Sequence, residues 1–273
     1  MTAVLGADPA TEPIEISALE FDVLWEHMRL AEMPLVLRVP SPGRTYTERR
    51  QLITSAWQSL TDRGLCDRKL AVREPLAHLL RLLESPDQEI DGRFGATRGV
   101  RLLVAATGDD AVHALLTKRG LMLSPIPVTG LAREALSALP NIPAGPGESI
   151  TVRADDLDAA ATDATNADAF ELALCRRDVS LRDASALGRM LGNVRRQGQF
   201  GASARTRWGH RRRAPHVIGF FDTDAGRYLQ LRQTTPDGVA WSTISPADTR
   251  LLVTQLTDLL AAVTTSAAEE RFG

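Results

Sequence analysis

Apolar segments separated by polar turns occur in two sets along the chain, one in each half. The segments are residues 101–106, 112–116 and 121–126 in the first set, and residues 216–221, 228–231 and 239–244 in the second. Phe94-Gly95 and Phe200-Gly201 open the two sets, so each set predicts a four-stranded meander. Consecutive strands joined by short turns are antiparallel, which favours an α+β fold over a doubly wound α/β fold.

Apolar positions with helical spacing lie before and after each set of strands. They are residues 76–83 and 131–139 around the first set, and residues 187–194 and 251–263 around the second. A spacing of three or four residues predicts one buried face on each helix. The repeated order of helix, meander and helix indicates an internal duplication. A duplication predicts a pseudo-twofold molecule, with the two meanders side by side in one sheet or in two facing sheets. We expect them to form a central antiparallel sheet flanked by helical bundles.

A segment rich in proline and glycine separates the two halves. Residues 140–147 contain three prolines and two glycines, a density that no regular element tolerates. We predict a single domain over residues 1–273, with internal repeats 14–139 and 149–263 joined by this linker. After the linker, residues 149–153 are predicted to form a strand that leads into an alanine-rich helix, in the same order as at the start of the first half.

Capping motifs predict where three helices begin. Ser17 and Thr45 each precede a glutamate by three residues, which is the spacing of a capping box. In such a box the hydroxyl and the carboxylate accept hydrogen bonds from N–H groups that the first turn of the helix leaves unpaired. Ser180, three residues before Asp183, predicts the start of the helix that precedes the second meander.

Two further segments are assigned from weaker patterns. Residues 34–39 alternate weakly between apolar and polar side chains and end at the turn cluster 40–43, so we predict a short strand there. Ser245-Pro246-x-Asp248 predicts the start of the last helix, with Pro246 at the first helical position, where its missing N–H costs nothing.

Composition places the chain among ordinary globular proteins. It has 273 residues, 44% hydrophobic and 24% charged, and a formal net charge of −2. This charge gives no general reason to expect binding to nucleic acid or to a membrane surface. Cys66 and Cys175 show neither a metal-ligand spacing nor a disulfide framework, so we expect two free thiols in a reducing compartment. Residues 1–13 lack the features of a signal peptide, and we expect a cytoplasmic protein without membrane insertion.

The densest run of positive charge lies in the second half. Between residues 189 and 213 there are eight arginines and no acid. The arginines are Arg189, Arg195, Arg196, Arg205, Arg207, Arg211, Arg212 and Arg213. One interpretation is a strip that binds the phosphates of nucleic acid, with Trp208 as a stacking surface. The alternative is an exposed, mobile hairpin loop whose charge is balanced by the acids between residues 155 and 171, and the net charge of −2 favours it.

The remaining candidate chemistry is sparse. Asp222 and Asp224 follow an apolar segment and are spaced as Mg²⁺ ligands are, but Asp-Thr-Asp-Ala-Gly is more simply a turn between two strands. The five histidines show no metal-ligand spacing, and neither a nucleophile elbow nor a phosphate-binding loop occurs in the sequence. We therefore predict a protein without enzymatic activity and without a cofactor or metal.

Seven stretches, taken in order, resemble the EspG family, the cytosolic chaperones of actinobacterial type VII (ESX) secretion systems. The stretches are residues 17–25 (SALEFDVLW), 39–48 (VPSPGRTYTE), 60–65 (LTDRGL), 144–153 (AGPGESITVR), 199–202 (QFGA), 221–229 (FDTDAGRYL) and 241–248 (WSTISPAD). The resemblance implies a chaperone that binds the apolar helical tip of the PPE protein in PE–PPE heterodimers, keeps it soluble and directs it to the secretion system. It also implies that nucleic acid is not a partner and that the free protein is a monomer or a weak homodimer.

The resemblance implies partner contacts through a loop of the first meander, residues 95–101, and through a helical region, residues 180–195, with the last helix from Pro246 as a further candidate. The residues so predicted are Gly95, Ala96, Thr97, Arg98, Gly99 and Arg101 in the loop, and Leu181, Ala184, Leu187, Gly188 and Arg195 in the helical region. The mate of this loop in the second half, residues 202–214, is longer and more basic. We predict that Arg211, Arg212 and Arg213 tune the choice of partner.

Overall fold

A computed structural model describes residues 12–95 and 99–269 of the chain. Within these residues there are eight helices and eleven strands, and all the strands belong to one sheet. The strands are β1 Ile14–Ile16, β2 Gln88–Phe94, β3 Val100–Thr107, β4 Asp110–Leu116, β5 Leu121–Ile126, β6 Ile150–Arg153, β7 Val194–Arg205, β8 Arg211–Arg213, β9 Ile218–Thr223, β10 Gly226–Thr234 and β11 Ala240–Pro246. The helices are α1 Ala18–His27, α2 Tyr46–Asp62, α3 Glu74–Glu84, α4 Leu131–Leu136, α5 Ala154–Asp163, α6 Ala167–Cys175, α7 Leu181–Leu191 and α8 Thr249–Glu269.

The two predicted meanders lie side by side, which confirms the α+β class and the central antiparallel sheet. The strand order is β1-β5-β4-β3-β2-β7-β9-β10-β11-β6, with β8 paired to β7 outside this path. The halves meet where β2 pairs with β7, in antiparallel register from Gln88 opposite Ala204 to Phe94 opposite Gly198. Within each half the order runs outward in the same way, from the first meander strand at the centre to a short strand at the edge. The boundaries of the internal repeats stay a prediction.

Helices cover the two faces of the sheet differently. On one face α4 and α8 pack across the centre, over β2, β3, β7 and β9. On the other face α3 packs on β3, β4 and β5, together with α1 and α2, while α5 and α7 pack on β6, β11 and β9. Alternating side chains produce these layers: Leu102 and Val104 of β3 enter the core under α8 and α4, whereas Leu103 and Ala105 enter the core under α1–α3. The second face therefore has two separate helical layers.

The capping motifs form as the sequence predicts. Ser17 Oγ accepts from the Glu20 N–H at 3.1 Å while the Glu20 carboxylate accepts from the Ser17 N–H at 2.6 Å. Thr45 forms the same reciprocal box with its glutamate, and Ser180 Oγ accepts from the Asp183 N–H at 3.1 Å. These caps satisfy N–H groups that a helix start leaves unpaired, so the three helices begin where the sequence places them.

The prediction of a strand over residues 34–39 is wrong. Residues 35–37 form a turn, which is closed by a hydrogen bond of 2.9 Å from the Leu37 N–H to the Pro34 carbonyl. Val36 and Leu37 are buried in the core under α1–α3. Their burial, rather than strand pairing, explains why the segment is apolar.

The start of the last helix is also corrected. Ser245 and Pro246 pair with Leu229 and Tyr228 as the end of β11, and α8 begins at Thr249. Asp248 caps it, because its Oδ1 accepts from the Leu251 N–H at 2.9 Å. Pairing with β10 extends the strand past the proline, which moves the helix start three residues along the chain.

Helix α8 is, among the described residues, the one helix long and apolar enough to cross a membrane by length and composition. Its leucines at 252, 256 and 259 and its Val263 are buried in the core against the sheet. The outward side carries threonines and alanines. The apolar content of α8 is therefore accounted for by packing on β7.

Candidate functional site

A groove runs across the sheet between the two helical layers of the second face, and we call it the central groove. Gln197 and Gln199 of β7, Phe221 of β9, and Gln230 and Arg232 of β10 form its floor. Two adjoining cavities make up its length, one of about 620 Å³ beside the β2–β3 hairpin and one of about 580 Å³ beside α5, α6 and α7. The two cavities share Phe221, Gln230 and Arg232. The central groove is thus one continuous surface.

The central groove is open because of the alternation of side chains along its strands. Phe200 of β7 and Phe220 of β9 point into the core under α8. Their neighbours Gln199 and Phe221 therefore point to the opposite face. On that face α3 stops at β3, and α7 reaches β9 from the other side. Gln199 is consequently exposed although it lies in a central strand.

The β2–β3 hairpin forms one wall of the central groove, where the sequence predicts a contact loop. Gly95, with φ of +109°, and Gly99 line the wall. A side chain at Gly99 would place its Cβ 2.3 Å from the Phe94 carbonyl oxygen, so the close approach of the two strand ends requires glycine. Ala96, Thr97 and Arg98 lie outside the described residues. Arg101 lies on β3 and donates to the Arg38 carbonyl at 2.7 Å.

Helices α5, α6 and α7 form the other wall, and the prediction for α7 is only partly consistent with this wall. Leu181 is 70% exposed at the start of α7, and Gly188 lines the cavity. Ala184 and Leu187 are fully buried in the core beneath α7, so they support the wall instead of contacting a partner. The physical reason is helical periodicity, since positions three and four apart form one face and that face points at the core.

The predicted loop at residues 202–214 is a β-hairpin. Residues 202–205 continue β7, and Arg213 of β8 lies opposite Ser203. From this pairing Arg213 reaches back across the strand over Gly201, where a Cβ would lie 2.2 Å from its Nη2. The exposed hairpin expected from the sequence is therefore present, with residues 207–213 exposed and its base paired as β7 and β8.

Carboxylates from the first half of the chain balance much of the arginine strip. Arg213 donates to both oxygens of Asp91, at 2.5 and 3.1 Å, and Arg211 donates to Glu89 at 2.5 Å. The hydrogen bond with Asp91, opposed by burial, raises the pKa of the Arg213 guanidinium. The expected balance by acids 155–171 is wrong for these arginines, because β2 lies directly beside β7 in the sheet.

The Asp-Thr-Asp segment is a turn between β9 and β10, in agreement with the simpler interpretation. Asp222 is buried and accepts from Arg227 at 2.6 and 3.1 Å and from Arg196 at 3.1 Å. Asp224 is exposed, and its hydrogen bond with Arg195 lowers the pKa of its carboxyl group. Both carboxylates are thus occupied by arginines. In the part of the chain that the structure describes, no group of three or more His, Cys, Asp or Glu side chains is arranged to hold a metal ion.

The ion pairs leave little support for the nucleic-acid interpretation. Arg195, Arg196, Arg211 and Arg213 each bind a carboxylate, so these four charges do not form an open strip. Phosphate binding depends on cationic side chains that displace counterions. Here two acids of β2 and two acids at the end of β9 and in the turn after it already neutralise these four guanidinium groups.

The sequence did not indicate the floor of the central groove. Gln197, Gln230 and Arg93 belong to no motif, and Gln199 stands out only as part of the QFGA stretch of the family resemblance. One signal was present, since polar side chains alternate with glycine and phenylalanine through residues 197–200. That alternation is unusual for a strand at the centre of a sheet that is covered on both faces.

Comparison with known proteins agrees with this architecture. The model of the EspG family matches residues 17–258. The chain belongs to the EspG family. Among solved structures, it is similar to the Mycobacterium tuberculosis type VII secretion system chaperone EspG5, solved in complex with the PE25–PPE41 dimer, with a TM-score of 0.70 and 16% sequence identity. The alignment covers 96% of this chain and 99% of that chain, and at this identity it shows a shared fold. A search of the curated proteins finds no match.

Proposed function

We propose that this EspG-family protein is a cytoplasmic chaperone of a type VII secretion system and that it binds the PPE subunit of a PE–PPE heterodimer in the central groove. The observation that carries the proposal is a surface at the middle of the sheet that the described residues leave uncovered, while α4 and α8 cover the centre of the other face. The EspG5 structure with a PE–PPE dimer supports the same class of partner. The proposed activity is binding alone, without catalysis or a cofactor.

The composition of the central groove suits an amphipathic helical tip. Phe221, Phe170 and Val194 supply apolar surface, and Gln197 and Gln199 supply hydrogen-bonding groups. An exposed apolar helix tip promotes aggregation, and covering it keeps the cargo soluble. The polar groups of the groove lose their contact with water when cargo binds. A helical tip that offers them no hydrogen-bond partners therefore binds less well. The central groove therefore provides both solubility and selection of cargo.

The test is co-expression with candidate PE–PPE pairs from the same genome, followed by size-exclusion chromatography in low and high salt. We expect one pair to co-elute and to remain bound in high salt, because apolar burial dominates such an interface. If none of the pairs co-elutes, the proposed partner is wrong. A complex with nucleic acid that dissociates as salt rises would instead support the alternative.

A bulky substitution on the floor of the central groove tests whether cargo binds there. Gln199 is exposed in the central groove, so Gln199→Trp fills the surface without disturbing the core. The matched control is Gln233→Trp, since Gln233 is an exposed strand residue of β10 that does not line the groove. We expect Gln199→Trp to weaken cargo binding at least tenfold and Gln233→Trp to leave it unchanged. Equal binding by both variants would place the interface elsewhere.

The role of Arg211, Arg212 and Arg213 in partner choice stays a prediction. Arg211 and Arg213 are held by Glu89 and Asp91 on the same face of the sheet as the groove. To test this prediction, residues 211–213 are replaced by serine, and the affinities for cognate and non-cognate PE–PPE pairs are compared. Unchanged discrimination would contradict the prediction.

A further inference from the structure

Two arginines lie directly opposite each other on the β2–β3 hairpin, beside the central groove. Arg93 of β2 pairs in register with Arg101 of β3, so their side chains leave the same face of the hairpin. Arg93 also lines the larger cavity. Like charges at directly opposed positions of antiparallel strands destabilise the pairing. The hairpin thus carries an unfavourable pair beside the groove.

Within the described residues, neither guanidinium has a hydrogen bond or ion pair with a carboxylate. Arg93 has one distant acceptor, the Leu35 carbonyl at 3.5 Å, and Arg101 donates to the Arg38 carbonyl at 2.7 Å. The Arg38 side chain is itself paired with Glu32. Burial, as the larger cause, and the positive charge of Arg93 both lower the pKa of the Arg101 guanidinium.

The other arginines of this surface are paired with acids. Arg232, on the groove floor, binds both oxygens of Asp158. The carboxylates of Asp91 and Glu89 lie on the same strand as Arg93 but are taken by β8. The local acids are therefore committed to other arginines, and Arg93 and Arg101 alone among these groove arginines have their donors directed to carbonyl oxygens.

We infer that Arg93 and Arg101 form a carboxylate-binding subsite on the wall of the central groove, which receives an acidic side chain of the bound partner. A guanidinium binds a carboxylate through two parallel N–H donors, and two adjacent guanidiniums offer more donors than their present carbonyl partners use. The inference rests on the proposed function for the identity of the partner. It adds that cargo must carry an aspartate or glutamate at this point, and that cargo with a lysine or arginine there is rejected.

A first experiment tests the subsite in the free protein. The probe is the acetylated and amidated tripeptide Glu-Glu-Glu, titrated while the arginine Nε–H signals are followed by ¹⁵N NMR. We expect the signals of Arg93 and Arg101 to shift, and that of Arg250 on α8, an exposed residue of the opposite side, to stay in place. Shifts no larger than that of Arg250 would overturn the inference.

The stability of the free protein provides a second test of the Arg93–Arg101 pair. We expect Arg93→Gln to raise the melting temperature by about 1–2 °C, because it relieves repulsion between opposed strand positions. The contact of Arg93 with Leu35 is too long to offset this gain. A melting temperature that falls would show a structural role for Arg93 and would count against the subsite.

A third experiment uses the PE–PPE pair that binds the wild-type chain. We expect Arg93→Gln/Arg101→Gln to weaken binding at least tenfold and to flatten its dependence on salt. The control Arg133→Gln/Arg250→Gln removes the same charge from exposed positions on α4 and α8. Equal loss in both variants, or loss in neither, would contradict the inference. If no pair binds the wild type, the proposed function fails, and the tripeptide titration still decides whether the subsite exists.

Discussion

Replacing Arg227 by methionine removes the centre of a buried polar network. Arg227 has no exposed surface, and its guanidinium donates to both oxygens of Asp222. It also donates to the Pro140 carbonyl at 3.0 Å and to Thr249 Oγ1 at 3.2 Å. The network therefore joins the linker, the β9–β10 turn and the start of α8.

The expected loss of stability follows from the charge of Asp222, which stays buried after the substitution. Removing one partner of a buried ion pair costs about 3–5 kcal/mol, because the other charge stays buried without compensation. Arg196 still donates to Asp222 at 3.1 Å and is partly exposed, which places the expected loss near the lower end, at about 3 kcal/mol. For a chain of this size, that loss lowers the melting temperature by about 6–12 °C.

The assay is urea denaturation followed by circular dichroism. Arg195→Met is the matched control, since its partner Asp224 is exposed and such pairs contribute little. We expect the control to unfold near the wild-type midpoint, and we expect the double variant Asp222→Leu/Arg227→Met to recover part of the loss, since no buried charge then remains uncompensated. A loss below about 1 kcal/mol for Arg227→Met, or no recovery in the double variant, would refute the reasoning.

Two further predictions concern buried groups. Gly145→Ala should cost about 1–3 kcal/mol in urea denaturation, because the new Cβ would lie 2.2 Å from the ring of buried Tyr228; an unchanged midpoint would contradict this. Burial lowers the pKa of His113, whose Nε2 has no hydrogen-bond partner among the described residues. The unfolded chain therefore binds a proton first as pH falls below about 6.5, and stability declines by up to about 1.4 kcal/mol per pH unit. His113→Leu should remove this part of the decline between pH 7.5 and 5.5, and identical pH profiles would exclude it.

Elements with a strong local signal were predictable from the sequence. The capping box at Ser17 and the cap at Ser180 form as expected, because each depends on side chains within one helical turn. The Asp222–Gly226 turn also forms where the residues favour it. Segments whose conformation depends on distant contacts were not predictable, as at Leu37, whose burial replaces strand pairing, and at Pro246, which pairing with Tyr228 holds in β11.

The candidate site likewise has a part that the sequence predicts and a part that it does not. The hairpin at Gly95 and Gly99 was expected as a contact region, and the glycines there meet a steric requirement. The pairs between Arg213 and Asp91 and between Arg211 and Glu89 join residues 122 positions apart. No local pattern connects such residues. Only the pairing of β2 with β7 brings them together, so the distribution of charge on the groove was outside the reach of sequence reasoning.

The sequence by itself determined the two sets of meander strands, most of the helices around them and the resemblance to the EspG family, because periodicity, turns and caps act over a few residues. The tertiary structure alone decided that the two meanders join through β2 and β7 and that, among the described residues, the middle of the sheet stays uncovered on one face. It also decided that, in the part of the chain that the structure describes, Arg93 and Arg101 have carbonyl partners where neighbouring arginines have acids. These features depend on which strands become adjacent, and adjacency arises from burial summed over the whole chain.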